Sequence, residues 1–240
     1  MLYLIGLGLQ DEKDLSLKSL DILRKCSQVY LEGYTSKLNF DLKELEDMIG
    51  KKIFIASRDM LENKMEEFII NAKNKDVALL VVGDPLMATT HNVMILEAEK
   101  KKIKSMVIHN ASVLNAIADT GLSLYNFGKI VSIPFENKNV TSPVEIANLN
   151  KKLGMHTLCL LDLKNGKYMS INDGLRYLLD KGLKDEMSIG CAGLGRKEQE
   201  IKAGKMSELI QHKFNQEPGC IILPGKMHFL EEEAIERWKI

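Results

Sequence analysis

The chain of 240 residues balances 33 lysines and arginines against 33 aspartates and glutamates, with 45% hydrophobic residues and four cysteines. Zero net charge provides no overall field for nucleic acid or an anionic membrane surface, so any macromolecular partner must be recognised by local shape and patches. The length lies between one large domain and two small ones, and the apolar content is enough for a real core.

No uninterrupted apolar stretch approaches about 18 residues, and Met1-Leu2-Tyr3-Leu4-Ile5-Gly6 has neither a basic leader nor a cleavage-site pattern, which points to a cytoplasmic protein. Cys26, Cys159, Cys191 and Cys220 lie far apart, three of them inside apolar runs, with no Cys-x-x-Cys pair and no neighbouring histidine cluster. They read as reduced packing residues, and no metal site is expected.

Residues 2–8 form an apolar run ending in Gly6-Leu7-Gly8, after which Leu15, Leu17, Leu20, Ile22 and Leu23 recur at roughly helical spacing. The loop invites comparison with the dinucleotide fingerprint, but Asp11 stands where the third glycine belongs, and that position must be small for helix packing. Two readings of Gly6 and Gly8 stay open: close approach of backbone to a ligand, and an ordinary glycine turn. A second strand is predicted over 28–31, a helix over 42–49, a third strand over 53–56 and an amphipathic helix over 60–72.

A fourth strand over 77–82 runs into Gly83-Asp84-Pro85. Gly83 permits backbone angles closed to other residues, and Pro85 fixes its own φ and holds Asp84 extended, so the loop is stiff. It reads either as a strand-to-helix turn capped by Asp84 or Thr89, or as a ligand loop at a strand's carboxyl end. Thr89-Thr90-His91 opens a helix to about residue 101, a fifth strand covers 106–109, and Asn110-Ala111-Ser112 caps a helix over 113–119. The alternation predicts a mostly parallel sheet covered on both faces.

Gly121 and the Tyr125-Asn126-Phe127-Gly128 stretch punctuate the chain, giving an N-terminal α/β domain over 1–125 and a C-terminal α/β domain over 126–240. In the second half, strands are predicted over 130–135, 157–163, 187–194 and 220–223, with an antiparallel one over 199–205. Helices are predicted from Pro143 to 153 and over 171–179, 206–212 and 229–238, and a turn at Lys164-Asn165-Gly166-Lys167. The second sheet is therefore expected to be mixed. There is no internal repeat, low-complexity tract or flexible linker.

The strand ending in Gly6-Leu7-Gly8-Leu9, the Gly83-Asp84-Pro85-Leu86-Met87-Ala88-Thr89-Thr90-His91 loop and Ile108-His109-Asn110-Ala111-Ser112 together resemble the tetrapyrrole methylase superfamily. Tyr34-Thr35-Ser36, His156-Thr157-Leu158, Leu161-Asp162-Leu163, Ile201-Lys202-Ala203-Gly204 and Ile222-Leu223-Pro224-Gly225-Lys226-Met227-His228 add to the likeness, which is collinear over essentially the whole chain. The resemblance implies an α/β fold of two domains with a cleft between them, a homodimer, and S-adenosyl-L-methionine as methyl donor. It also implies methylation of the amine of an aminocarboxypropyl group on a histidine of elongation factor 2, a step of diphthamide synthesis.

By the same resemblance, cofactor contacts fall at Leu9, Asp84, Met87, Ser112, Val113, Leu161, Leu194 and Gly219. Two positions depart from the pattern: Gly193 stands where an arginine is usual, and Gly219 where a histidine is common. Two other readings are methylation of a corrin or porphyrinogen precursor and a non-catalytic nucleotide-binding module.

Methyl transfer from a sulfonium is an in-line displacement that requires neither a metal nor a covalent nucleophile. Alignment of donor carbon and acceptor nitrogen accounts for about 7–11 kcal/mol of barrier. The acceptor amine must first lose its proton. Asp84 is a candidate acceptor for ribose hydroxyls or a neighbour of the cofactor's cationic groups; as an exposed loop carboxylate, its replacement by alanine is expected to weaken cofactor binding with little loss of stability. For Leu9, Met87, Val113, Leu161 and Leu194 the competing reading is core packing, and for Ser112 a helix cap. His91 and His109 are possible proton acceptors, and neither is assigned as the base.

Overall fold

Five short runs rich in leucine, isoleucine and valine form the first sheet: β1 (Leu2–Gly6), β2 (Gln28–Glu32), β3 (Ile53–Ala56), β4 (Val77–Val81) and β5 (Ser105–Ile108). The computed structural model describes residues 1–34, 36, 38, 40–164 and 166–240, so Thr35 of the Tyr34-Thr35-Ser36 string and Asn165 of the 164–167 turn lie outside the described residues. The strand order is β3-β2-β4-β1-β5, and every pairing is parallel. β4 lies between β2 and β1 and is buried along its whole length, as a strand covered on both faces must be. Leu79 and Val81 enter one core with Leu2, Leu4 and Met94, whereas Ala78 and Leu80 enter the other with Ile5, Leu7 and Ile108.

The helices of this half are α1 (Leu17–Lys25), α2 (Leu42–Ile49), α3 (Met65–Ile70), α4 (Asn92–Lys100) and α5 (Val113–Ala116). Ser16 caps α1 by accepting from Ser19 N, and Asp41 caps α2 by accepting from Lys43 N. The single helix expected over 60–72 is broken. A π-helical turn spans Asp59–Asn63, and Lys64 leaves the helical region at φ −111° with its N–H on the Asp59 carbonyl at 2.9 Å. Asp59 is held there by the Lys64 ammonium at 2.8 Å and by Asn63 Nδ2 at 3.0 Å, which closes the turn one residue wide.

The second half continues with β6 (Val131–Ile133), α6 (Ser142–Lys152), β7 (Thr157–Leu161), the hairpin β8 (Leu163–Lys164) with β9 (Lys167–Tyr168), and α7 (Ile171–Asp180). Then follow β10 (Met187–Ala192), β11 (Glu200–Lys205), α8 (Met206–Leu209), β12 (Gly219–Leu223) and α9 (Phe229–Glu236). The sheet order is β11-β10-β12-β7-β6; only β6 with β7 is parallel, so this sheet is mixed as expected. Pro143 lies in the first turn of α6, where its missing N–H costs nothing.

The chain separates into compact units Met1–Leu114 and Asn115–Ile240. The stretch around Thr120 and Ser123, just ahead of the boundary placed near residue 125, belongs with the second unit. Trp238 Nε1 donates to Thr120 O at 3.0 Å, and Ser123 N donates to Glu231 Oε1 at 2.7 Å. All four cysteines are buried free thiols. Burial pushes the Cys26 thiol up to about 11 and the Cys159 thiol well above its ordinary value, which suits packing rather than reactivity.

Candidate functional site

Three loops leave the carboxyl ends of adjacent parallel strands in the first unit: one after β1, one after β4 and one after β5. Parallel pairing aligns Gly6 with Val81 and Ile5 with Ile108, so the loops start side by side. They are then tied to each other. Gly8 and Gly83 exchange both backbone hydrogen bonds, at 3.2 and 2.8 Å. A Cβ on Gly6 would lie 2.5 Å from Gly83 O, and one on Gly8, at φ +82°, would lie 2.5 Å from Asp14 Cβ. The chain's own packing thus accounts for a glycine at both positions.

Asp14 fixes the first loop: its Oδ2 accepts from Leu9 N at 2.9 Å and Gln10 N at 2.8 Å. Asp11, the residue that breaks the dinucleotide fingerprint, caps the 3₁₀ turn Glu12–Asp14. A side-chain bond from Gln10 and the Lys13 N–H hold its carboxyl below the usual range. Asn110 ties loop to loop, donating from Nδ2 to Gly6 O and to Asp14 O, each at 3.0 Å, so it is a cross-brace more than a helix cap. Ser112 supplies the cap, accepting from Leu114 N at 3.3 Å.

Asp84 is not an exposed carboxylate. Its side chain is 2% exposed, with Oδ1 accepting from Leu86 N at 2.9 Å and Oδ2 accepting from Asn110 N at 3.0 Å and from the His109 ring at 2.8 Å. Three protein donors therefore bind the carboxylate, which clamps the β4 loop to the end of β5. The expectation that its removal spares stability is corrected accordingly.

Beyond Asp84 the loop closes on one carbonyl. Pro85 O accepts from Thr89 Oγ1 at 2.5 Å and from His91 Nδ1 at 3.1 Å, and His91 is buried. This closed turn delays α4 to Asn92, three residues after the expected start, and makes His91 a structural hydrogen-bonder. Ala88 sits at φ +59°, a costly conformation for a residue with a Cβ, held by the bonds on either side. Met87, beside it, is 41% exposed, so core packing does not explain it. Leu9 and Val113 are half-buried.

In the second unit Leu161, Leu194 and Gly219 lie at the same end of three neighbouring interior strands, at the end of β7, just after β10 and at the start of β12. Leu161 is half-buried, and its Cδ2 lies 2.7 Å from where a Cβ on Gly174 would be; Leu194 is buried. Gly193, at φ +60°, donates its N–H to Pro218 O at 2.9 Å and has the Arg196 Cδ 3.6 Å from its missing Cβ. At Gly219 a Cβ would lie 2.7 Å from Ile171 Cγ1, so a larger residue there requires Ile171 to move.

Composition and spacing gave no signal for Asp14, for Asn110 as a brace, or for the pairing of Asp84 with His109. Among the described residues no group of three His, Cys, Asp or Glu side chains is placed to hold a metal ion, and no helix is long and apolar enough to cross a membrane.

The family model described as Tetrapyrrole (Corrin/Porphyrin) Methylases matches residues 1–210. A protein of Arabidopsis thaliana named "Probable diphthine methyl ester synthase" is 41% identical over 272 residues, covering 100% of this chain and 98% of the relative. The diphthine synthase of Methanocaldococcus jannaschii is 39% identical over 251 residues, covering 98% of each. A crystal structure of diphthine synthase superposes with a TM-score of 0.94 at 35% identity, covering 100% of this chain and 96% of that one.

Proposed function

The chain belongs to the tetrapyrrole methylase family, and from that premise we propose that it is the S-adenosylmethionine-dependent methyltransferase of diphthamide synthesis, acting on the amine of the aminocarboxypropyl-modified histidine of elongation factor 2. Coverage carries the reading: relatives named diphthine synthase and probable diphthine methyl ester synthase match from end to end at 39–41% identity, well beyond a shared fold.

When bound, the cofactor supplies a methyl group made electrophilic by its sulfonium. The residues of the first unit fit such a molecule. Met87, Leu9 and Val113 present apolar surface that the core has not consumed, on loops whose backbones are already fixed by Asp14, Asp84 and Asn110. A prefixed loop loses little entropy on binding and holds the donor where an in-line attack can be aligned. Asp84 contributes to this contact through the main chain it positions, and Ser112 through the turn it caps. Leu161, Leu194 and Gly219 are further cofactor contacts in this reading, with S-adenosyl-L-homocysteine as the product released. A homodimer and a cytoplasmic location complete it.

The test is incubation of the full chain with methyl-labelled S-adenosylmethionine and elongation factor 2 carrying the aminocarboxypropyl histidine, followed by fragmentation of the modified peptide. Label on the amine nitrogen, in whole methyl units, is the expected result. The name of the Arabidopsis relative adds a methyl ester, so the same fragments are read for label on the carboxyl. Absence of label, with an active relative run alongside, would overturn the reading.

A further inference from the structure

We infer that His109, oriented by the buried Asp84, is the proton acceptor that frees the substrate amine for attack; the inference rests on the function proposed above and adds a residue to it. His109 is the last residue before Asn110 on the loop after β5, and its side chain is 60% exposed, whereas Asp84 behind it is 2% exposed. The two meet at 2.8 Å through His109 Nδ1 and Asp84 Oδ2. Asp84 Oδ2 also takes the Asn110 N–H and Oδ1 takes the Leu86 N–H, so the carboxylate is an acceptor on all three contacts and the ring must donate from Nδ1. In the neutral ring that fixes the tautomer and leaves the lone pair on Nε2, on a side chain that is 60% exposed. A carboxylate buried behind an imidazole stabilises the imidazolium that forms when Nε2 takes a proton.

Exposure suits the substrate. Of the two histidines on the three loops, His91 is buried and His109 stands open to an amine carried on another protein. The ionisable groups on the three loops are Asp11, Glu12, Lys13 and Asp14 after β1, Asp84 and His91 after β4, and His109 itself after β5. Asp84 is the one bonded to the ring. In the step, an N–H bond of the substrate ammonium breaks and an Nε2–H bond forms on His109. The freed nitrogen lone pair then forms a bond to the methyl carbon as the carbon–sulfur bond breaks, its electron pair returning to sulfur. The exposed imidazolium passes its proton to water. Methylation of a carboxylate needs no such step, because that group is already deprotonated at neutral pH.

His109→Asn tests this, because the asparagine Nδ2 occupies the place of the ring Nδ1 and keeps the donor to Asp84 while removing the Nε2 acceptor. With elongation factor 2 bearing the aminocarboxypropyl histidine, amine methylation at neutral pH is expected to fall about 100-fold or more, and the deficit to shrink as pH rises and solvent deprotonates the amine. S-adenosylhomocysteine affinity by calorimetry and the melting temperature are expected to stay as in the unmodified chain. Nitrogen-15 spectra of the neutral ring in the unmodified chain are expected to show the Nδ1–H tautomer.

A second variant, His109→Ala, is expected to regain amine methylation when imidazole is added. An unchanged rate in His109→Asn at neutral pH would overturn the inference, as would a pH-independent loss accompanied by weakened S-adenosylhomocysteine binding, since both assign His109 a structural role only. No transfer by the unmodified chain would instead overturn the proposed function, and the inference with it, so the two failures are distinct.

Discussion

Glu231→Ala is expected to destabilise the second unit by about 3–5 kcal/mol, because it removes the acceptor on which four donors converge in the interior. Oε1 of Glu231 accepts from Ser123 N at 2.7 Å, Asn126 Nδ2 at 3.2 Å and His156 Nε2 at 3.3 Å, and Oε2 accepts from His228 N at 2.8 Å. His156 is fully buried and takes the Gly225 N–H on its Nδ1 at 2.8 Å, so its ring bridges the C-terminal helix to the end of β12. Alanine would strand the Ser123 N–H, the His228 N–H and the His156 ring proton together. Urea unfolding checks the figure, the midpoint falling with the slope unchanged.

The same residue sets a pH dependence. Burial alone would push the Glu231 carboxyl up, but the His228 and Ser123 N–H groups, then His156 and Asn126, outweigh it and hold the group below its ordinary value of 4.5. A depressed folded value stabilises above the unfolded one and is lost as pH falls through it. Stability is therefore expected to hold above about pH 5 and to decline as pH drops below the ordinary carboxylate range. Glu231→Gln should flatten that acid limb.

Asp84→Ala is expected to cost about 2–4 kcal/mol in the first unit and to weaken S-adenosylhomocysteine binding at the same time. The Leu86 and Asn110 N–H groups lose their acceptor, and the clamp between the β4 and β5 loops opens. The His109 contribution to that figure is small, because its ring is largely in water. Asp84→Asn should lose less, since one side-chain oxygen still accepts, although its amide nitrogen must then face a donor. Thermal unfolding and calorimetry measure the two effects, and a variant with reduced binding at full stability would contradict the clamp.

What was legible in the sequence follows from how local the cause is. The run Val77–Val81 announces a doubly covered strand because burial on both faces demands apolar residues at every position. The antiparallel partner at Glu200–Lys205 was legible too, following β10 after a short polar connection. Gly83 and Pro85 marked a stiff turn because their backbone limits are intrinsic. Asp84 looks exposed in sequence because its residue type says nothing of its accessibility, and two of its three donors lie 25 and 26 residues away. Glu231 is the extreme case: it sits in a charged helix that looks solvated in sequence, while three of its four donors lie 75 to 108 residues back. Helix starts were misplaced where a side chain closed a turn, as Thr89 and His91 do on Pro85. Those bonds obey no periodicity.

The central claim, that the loops after β1, β4 and β5 form the cofactor site of a methyltransferase, is tested most directly by amide hydrogen exchange with and without S-adenosylhomocysteine. Slowed exchange concentrated in residues 83–91 and 110–114, with the Leu9 turn, is the predicted result. Calorimetrically verified binding that leaves those segments unchanged would contradict it.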